Sequence, residues 1–270
     1  MADISGFAAL TPLDIVMQIE LEAALDELTG ETNPQTLPLS LLRFGSAGAF
    51  GKVGGLSVRS DGVDVTPQVR AEWPEGRSAF DEMLSGLNQE FEFRVLIGPT
   101  DEDVPALRAA GWNPSSAHEM NENRARSEAE LQARLDAEPR WRRGRLRDVI
   151  GARHVAIELL DFLNSALARR RLDFDLLDDR RLIRRLVDCM PTADARVSLM
   201  VEAHRNPQTR WSPNQIVDLD ALSLAVPYCD VVACDAQMAH LVKASGTNRR
   251  LGATVFDNLD NLVLHLTDEP

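Results

Sequence analysis

Apolar positions recur at helical spacing through much of the chain. Phe80, Met83, Leu84, Leu87, Phe91 and Val95 return every three or four residues and predict a helix over 77–97. Shorter stretches of the same kind predict helices over 20–28, 101–110, 149–166, 180–188 and 193–203. Thr100 followed by Asp103 is a capping-box variant and supports a helix start there. Residues 115–135 are highly charged with few apolar positions, which predicts a helix that is exposed, a spacer, or packed on a partner. Residues 1–10 read as the tail of a helix. Pro12 to Met17, with Leu13, Ile15 and Val16, reads as a short strand leading into the helix at Glu20, and Val63 to Val69 as another short strand. Gly45, Gly48, Gly51, Gly54 and Gly55 mark a flexible loop and not a phosphate loop, because the closing Gly-Lys-Ser/Thr is absent.

The most informative run is 216–235. It reads as a short helix opened by Asp218 and Asp220, a turn, a buried strand, and Asp235 where that strand ends. A helix of about ten residues rises roughly 15 Å, and the following strand returns by about the same length. The helix start and the strand end should therefore meet, and Asp218, Asp220 and Asp235 should share one edge. Carboxylates at the C-terminal edge of a parallel sheet are where an α/β protein places a ligand, and hard divalent cations take oxygen ligands of this kind. A second reading also stands: Asp218 and Asp220 lie where a helix favours acids, and Asp235 is placed as the N-cap of the next helix. Asp230, at the other end of the strand, reads as a turn residue.

From about Trp211 to Leu266 the succession of acidic helix, Asp-Ala-Leu run, acid-ending strand, helix over 236–243 and last strand near Thr254 to Phe256 resembles the C-terminal half of PIN-like domains. These are metal-dependent nucleases. In the family the strand-end acid usually follows Thr or Ser, whereas here it follows Cys234. The resemblance implies an α/β fold with a PIN-like parallel-sheet core, and an endoribonuclease activity that uses magnesium or manganese on RNA. It implies Asp220 and Asp235 as metal ligands, Asp218 as a ligand or a supporting acceptor, and pairing into a homodimer.

PIN-like domains open with an acid-ending strand followed by a helix carrying Glu, and nothing of that form begins this chain. The expected core is therefore N-terminally incomplete, with residue 1 inside the domain. On this division 1–30 is a remnant strand and helix, 31–147 a large, mostly helical insertion, and 148–270 a helical segment with the C-terminal core. The missing acids also imply an alternative, a nuclease-derived binding or regulatory module without catalysis.

Charge narrows the partners. With 29 Lys and Arg against 42 Asp and Glu, the net charge of −13 argues against non-specific nucleic-acid binding over the whole surface. Locally, Arg140, Arg142, Arg143, Arg145 and Arg147 surround Trp141, and Arg169, Arg170, Arg171, Arg180, Arg181, Arg184 and Arg185 follow. Arginines around an aromatic can grip phosphates and stack a base. They can equally form a solvated face paired to acids such as Asp178 and Asp179.

Cys189, Cys229 and Cys234 match neither a disulfide framework nor a zinc pattern and read as reduced, buried residues. His118, His154, His204, His240 and His265 are scattered, and the serines lack a nucleophile-elbow context. No stretch is long and apolar enough to span a bilayer and no signal peptide opens the chain, so a cytoplasmic location is expected. Lys52 and Lys243 are the only lysines, a bias towards arginine that suggests a GC-rich bacterial genome.

Overall fold

Pro12 separates strand from helix at the start of the chain. In the computed structural model, which describes residues 8–30, 41–44, 58–61, 63–173 and 179–268, strand β1 (Ala8–Leu10) precedes Pro12 and helix α1 (Leu13–Thr29) follows it. Residues 8–10 are thus extended where a helix tail was expected, and 13–17 are helical where a strand was expected. Val16, Met17, Leu21, Ala24 and Leu25 explain the helix, since all five are buried and share one helical stripe. The alternation of Leu13 with Ile15 is too short to compete with that longer period.

The chain divides into two compact units, Met1–Ile15 with Ser40–Pro114, and Val16–Leu39 with Ser115–Pro270. In the first, β1 pairs antiparallel with β2 (Leu42–Phe44), and β3 (Arg59–Ser60) with β4 (Val63–Asp64). Helices α2 (Thr66–Glu72), α3 (Arg77–Ile97) and α4 (Val104–Ala109) follow. The expected strand over 63–69 stops after two residues, because Pro67 falls in the first turn of α2, where its fixed φ suits a helix. Phe80 is fully buried and meets Trp73 edge-on, ring centroids 5.2 Å apart. Thr100 Oγ1 accepts the N–H of Asp103 at 3.3 Å, the bond of the expected capping pattern, but 101–103 form a turn and the helix begins only at Val104. The glycine-rich segment 45–55 lies outside the described residues.

The second unit holds α5 (Ser116–Ala137), α6 (Pro139–Arg142), α7 (Leu146–Ile157), α8 (Leu160–Arg170), α9 (Arg180–Asp188), α10 (Pro191–Arg205) and α11 (Pro213–Tyr228). Then come β5 (Val231–Ala233), α12 (Ala236–Ser245), α13 (Thr247–Leu251), β6 (Thr254–Phe256) and α14 (Leu259–Asp268). Helix α10 lies at the centre, buried around nearly its whole circumference against α7, α9, α11 and α12. The predicted helix over 149–166 is broken at Glu158 and Leu159 into α7 and α8, which sends Leu159 and Leu163 into the core. Residues 115–147 cluster with the C-terminal helices and not with 40–114.

The expected PIN-like parallel-sheet core with an insertion is not what forms. The protein is mostly helical, 72% helix against 5% strand, and the parallel pairing among the described residues is confined to β5 and β6. That ladder is three residues long, Val231 opposite Thr254, Val232 opposite Val255 and Ala233 opposite Phe256. The physical reason lies in the apolar spacing of 146–170, 180–205 and 213–228, which suits helices and not strands. The all-round buried helix α10 then fills the central place that a sheet would need. No helix among the described residues is long and apolar enough to cross a membrane.

Candidate acidic edge and arginine faces

Helix α11 starts earlier than the sequence suggested, and that places its acids. Ser212 is the N-cap, its Oγ accepting the N–H of Gln215 at 3.2 Å, and Pro213 occupies the first turn. Asp218 and Asp220 are therefore well inside the helix, not at its start. Two positions apart, they point about 200° away from each other around the axis. The three acids do not share one edge.

Asp220 faces α5 and α10. Arg124 grips it through two bonds, Nη1 to Oδ2 at 2.6 Å and Nη2 to Oδ1 at 2.9 Å, and Arg196 also bonds Oδ1. Glu158 lies 3.7 Å from both guanidiniums. Burial by itself would raise the Asp220 pKa, but the hydrogen bonds and charges of Arg124 and Arg196 outweigh it and hold the carboxyl below its usual range. With two guanidiniums seated on it, Asp220 serves as an ion-pair acceptor in this structure.

Asp218 faces the opposite way, towards the end of β5. Its carboxyl is pushed above the ordinary range by burial and by the negative charge of Asp235. Asp235 is the N-cap of α12, as its second reading held, with Oδ1 accepting the N–H of Met238 at 2.9 Å. Asp257 follows β6 as Asp235 follows β5, and Lys243 Nζ lies 3.7 Å from it. Burial raises the Cys234 thiol pKa, and Asp235, Asp218 and Asp257 add to it against Lys243, so these four charges gather around one point. The thiol stays protonated and unreactive there. Asp257 was missed in the sequence, although an acid after the second parallel strand is the same signal as Asp235. Among the described residues, no three His, Cys, Asp or Glu side chains are placed to hold a metal ion together.

The arginines around Trp141 are partly occupied. Arg140 bonds Glu138 at 2.6 and 3.0 Å, and Arg142 pairs with Asp136 at 2.7 Å and is only 18% exposed. The Trp141 ring has Arg140 at 5.2 Å and Arg145 at 6.0 Å, and its Nε1 donates to Glu138 at 2.8 Å. That ring is stacked within the protein already. Arg143 and Arg145 are exposed.

Helix α5 is not a bare spacer, because its inward face carries polar groups that find partners. Glu128 Oε2 and Gln132 Oε1 each lie 2.9 Å from a ring nitrogen of fully buried His204, and Arg153 also bonds Glu128. Gln132 Nε2 donates to the Asn206 carbonyl at 2.9 Å, which orients the amide. A groove of about 450 Å³ opens between α5 and α7, yet its cations, Arg124 and Arg153, already meet Asp220 and Glu128. Cys189, Cys229 and Cys234 are free thiols and half-buried, not fully buried. Compared with known proteins, the chain matches no family model, no curated protein and no solved structure.

Proposed function

We propose that Asp218 and Asp235 bind one divalent cation, magnesium or manganese, and that this edge serves phosphodiester hydrolysis on RNA. One observation carries the reading. Glu22, Glu128, Asp194 and Asp220 each meet at least one guanidinium, whereas Asp218 and Asp235 lie close enough for the charge of one to raise the pKa of the other and have no ion pair among the described residues. Two adjacent carboxylates of hard oxygen character fit a cation of this class. When bound, such a cation neutralises the pair, lowers the pKa of water and steadies the developing charge of a phosphate.

The protein's own groups are disposed to assist. The Met238 N–H fixes Asp235 through Oδ1 and leaves Oδ2 to bind. Lys243, in the same edge, offers a cation to a phosphate oxygen. Because the Asp218 pKa is raised by burial and by Asp235, protons compete with the cation there and occupation weakens as pH falls. A second reading is favoured by the count of two carboxylates: the edge would bind cation and RNA without cutting, as a binding or regulatory module.

The test is thermal unfolding with manganese or magnesium at neutral pH, beside cleavage of end-labelled single-stranded RNA with and without chelator. A cation at a hundred times its Kd would stabilise the wild type by about 2.7 kcal/mol. Asp218→Asn and Asp235→Asn should lose that gain, and Asn at 235 keeps the cap. An equal gain in Asp218→Asn would refute the site. Cation binding without any cleavage selects the second reading.

A further inference from the structure

Around Trp141 two of the arginines, Arg140 and Arg142, are already paired with acids, whereas helix α9 carries four exposed arginines. Its nine residues carry Arg180, Arg181, Arg184 and Arg185, all exposed, while Leu186 and Val187 are buried beneath them. Arg180 and Arg184 form one row and Arg181 and Arg185 the next, each pair about 6 Å apart along the axis. Five other arginines of this unit, Arg124, Arg147, Arg153, Arg170 and Arg196, are each engaged by an acid. On α9 the pairing among the described residues is one long contact, Arg184 with Asp148 at 3.9 Å. In a chain of net charge −13, a nine-residue helix with four exposed guanidiniums, one of them ion-paired among the described residues, stands apart.

A second feature adjoins the same row. Between α7, α9 and α10 lies a small, open, mostly apolar cavity of about 50 Å³, floored by Gly151, Ile183 and Val187 and rimmed by Arg147, Arg180 and Arg184. Asp188, at the same rim, is held by Arg147 at 2.7 Å. An apolar slot edged by guanidiniums suits a chain whose bases are free to splay out and whose phosphates run alongside. A duplex, with its bases stacked inside, could not fill it.

We propose that α9 and this slot form a binding face for single-stranded RNA, with Arg180, Arg181, Arg184 and Arg185 holding phosphates and the slot receiving the edge of a base. The proposal deepens the reading of RNA as substrate and rests on it for the choice of ligand. Its contacts are separate from the acidic edge, so each can fail alone.

The experiment is fluorescence anisotropy of a labelled single-stranded oligonucleotide in chelator, titrated at several salt concentrations between 50 and 200 mM. Chelator removes any contribution of a cation at Asp218 and Asp235. The double variant Arg180→Ala, Arg184→Ala should weaken binding about tenfold at low salt and reduce the slope of log K against log salt by about 1.4, the value for two phosphates on a single strand. Arg181→Ala with Arg185→Ala should act similarly. Gly151→Ala places a Cβ 3.9 Å from Val187 Cγ2, an ordinary contact, so the fold is kept while the slot becomes shallower. That variant should lower affinity and leave the salt slope unchanged. An unaltered slope in both arginine doubles overturns the proposal. So does a loss that appears only in Arg140→Ala, Arg143→Ala, or equal competition by polyglutamate, which would mark a general polyanion surface.

Discussion

The two faces of α11 carry the same side chain to opposite ends. At Asp220 the neighbouring helices bring guanidiniums, Arg124 from α5 and Arg196 from α10, and the carboxyl is held below its ordinary pKa range against the effect of burial. At Asp218 the neighbouring strand end brings another carboxylate, and the pKa is pushed up. One acid is an ion-pair acceptor that joins three helices. The other is a charge waiting for a partner. What a carboxylate can do here is decided by the element facing it and not by its place in the motif.

The strongest way to break this contrast is Asp220→Ala. Arg196, only 6% exposed, would be left without its main counter-charge, and removing one partner of a buried pair costs about 3–5 kcal/mol. Asp220 itself is 25% exposed, so the lower end, about 3 kcal/mol, is expected in urea unfolding. A loss below about 1 kcal/mol would mean that solvent screens the pair and that the two faces do not differ in kind.

The cations on the Asp220 side also act on His154, which is buried with Nε2 unpaired. Burial, then Arg196, lower its pKa to about 3, with Arg153 and Arg124 adding to the fall and Asp220 opposing it. A folded-state pKa below the unfolded 6.5 keeps the ring neutral in the native state, while the unfolded chain takes up a proton. The stability it contributes is present above pH 6.5 and lost as pH falls towards 3, at up to about 1.4 kcal/mol per pH unit. Between pH 6.5 and 5.5 a fall of about 1 kcal/mol is expected, before the carboxylates titrate. His154→Gln should remove most of that slope. If the slope persists in the variant, His154 is not the group that gives rise to it.

The smallest effect belongs to Asp218. Its raised pKa means that the stability it contributes is complete below its unfolded value of 3.8 and is lost as pH rises through the folded value. At neutral pH without cation, Asp218→Asn should therefore match or slightly exceed the wild type, by no more than a few tenths of a kcal/mol after solvent screening. Urea unfolding at pH 7 measures it. A loss above about 1 kcal/mol would reveal a favourable partner for Asp218 and erase the contrast with Asp220.

Legibility followed spacing. Helix α3 has the bounds that its apolar repeat predicted, as does α9, and β6 falls at 254–256 as read. Helix α5 was legible as a helix but not as part of the core, because its buried positions include Glu128 and Gln132, which are hidden only where His204 and Asn206 satisfy them. The acids of 216–235 were legible as unusual. Their grouping was not, because two residues two positions apart inside one helix face opposite ways, and what each then meets comes from elsewhere in the chain.

By itself the sequence determined where most helices of the second unit run, the Asp235 cap, and the concentration of arginine on 180–185. These depend on interactions within a few residues, which a local pattern records. Only the tertiary structure decided that Asp220 is neutralised while Asp218 is not, that Trp141 is covered by its own arginines while α9 is open, and that a buried helix takes the central place expected of a sheet. Each of those outcomes is set by groups far apart in the chain, Arg124 and Asp220 among them, whose meeting no local period encodes.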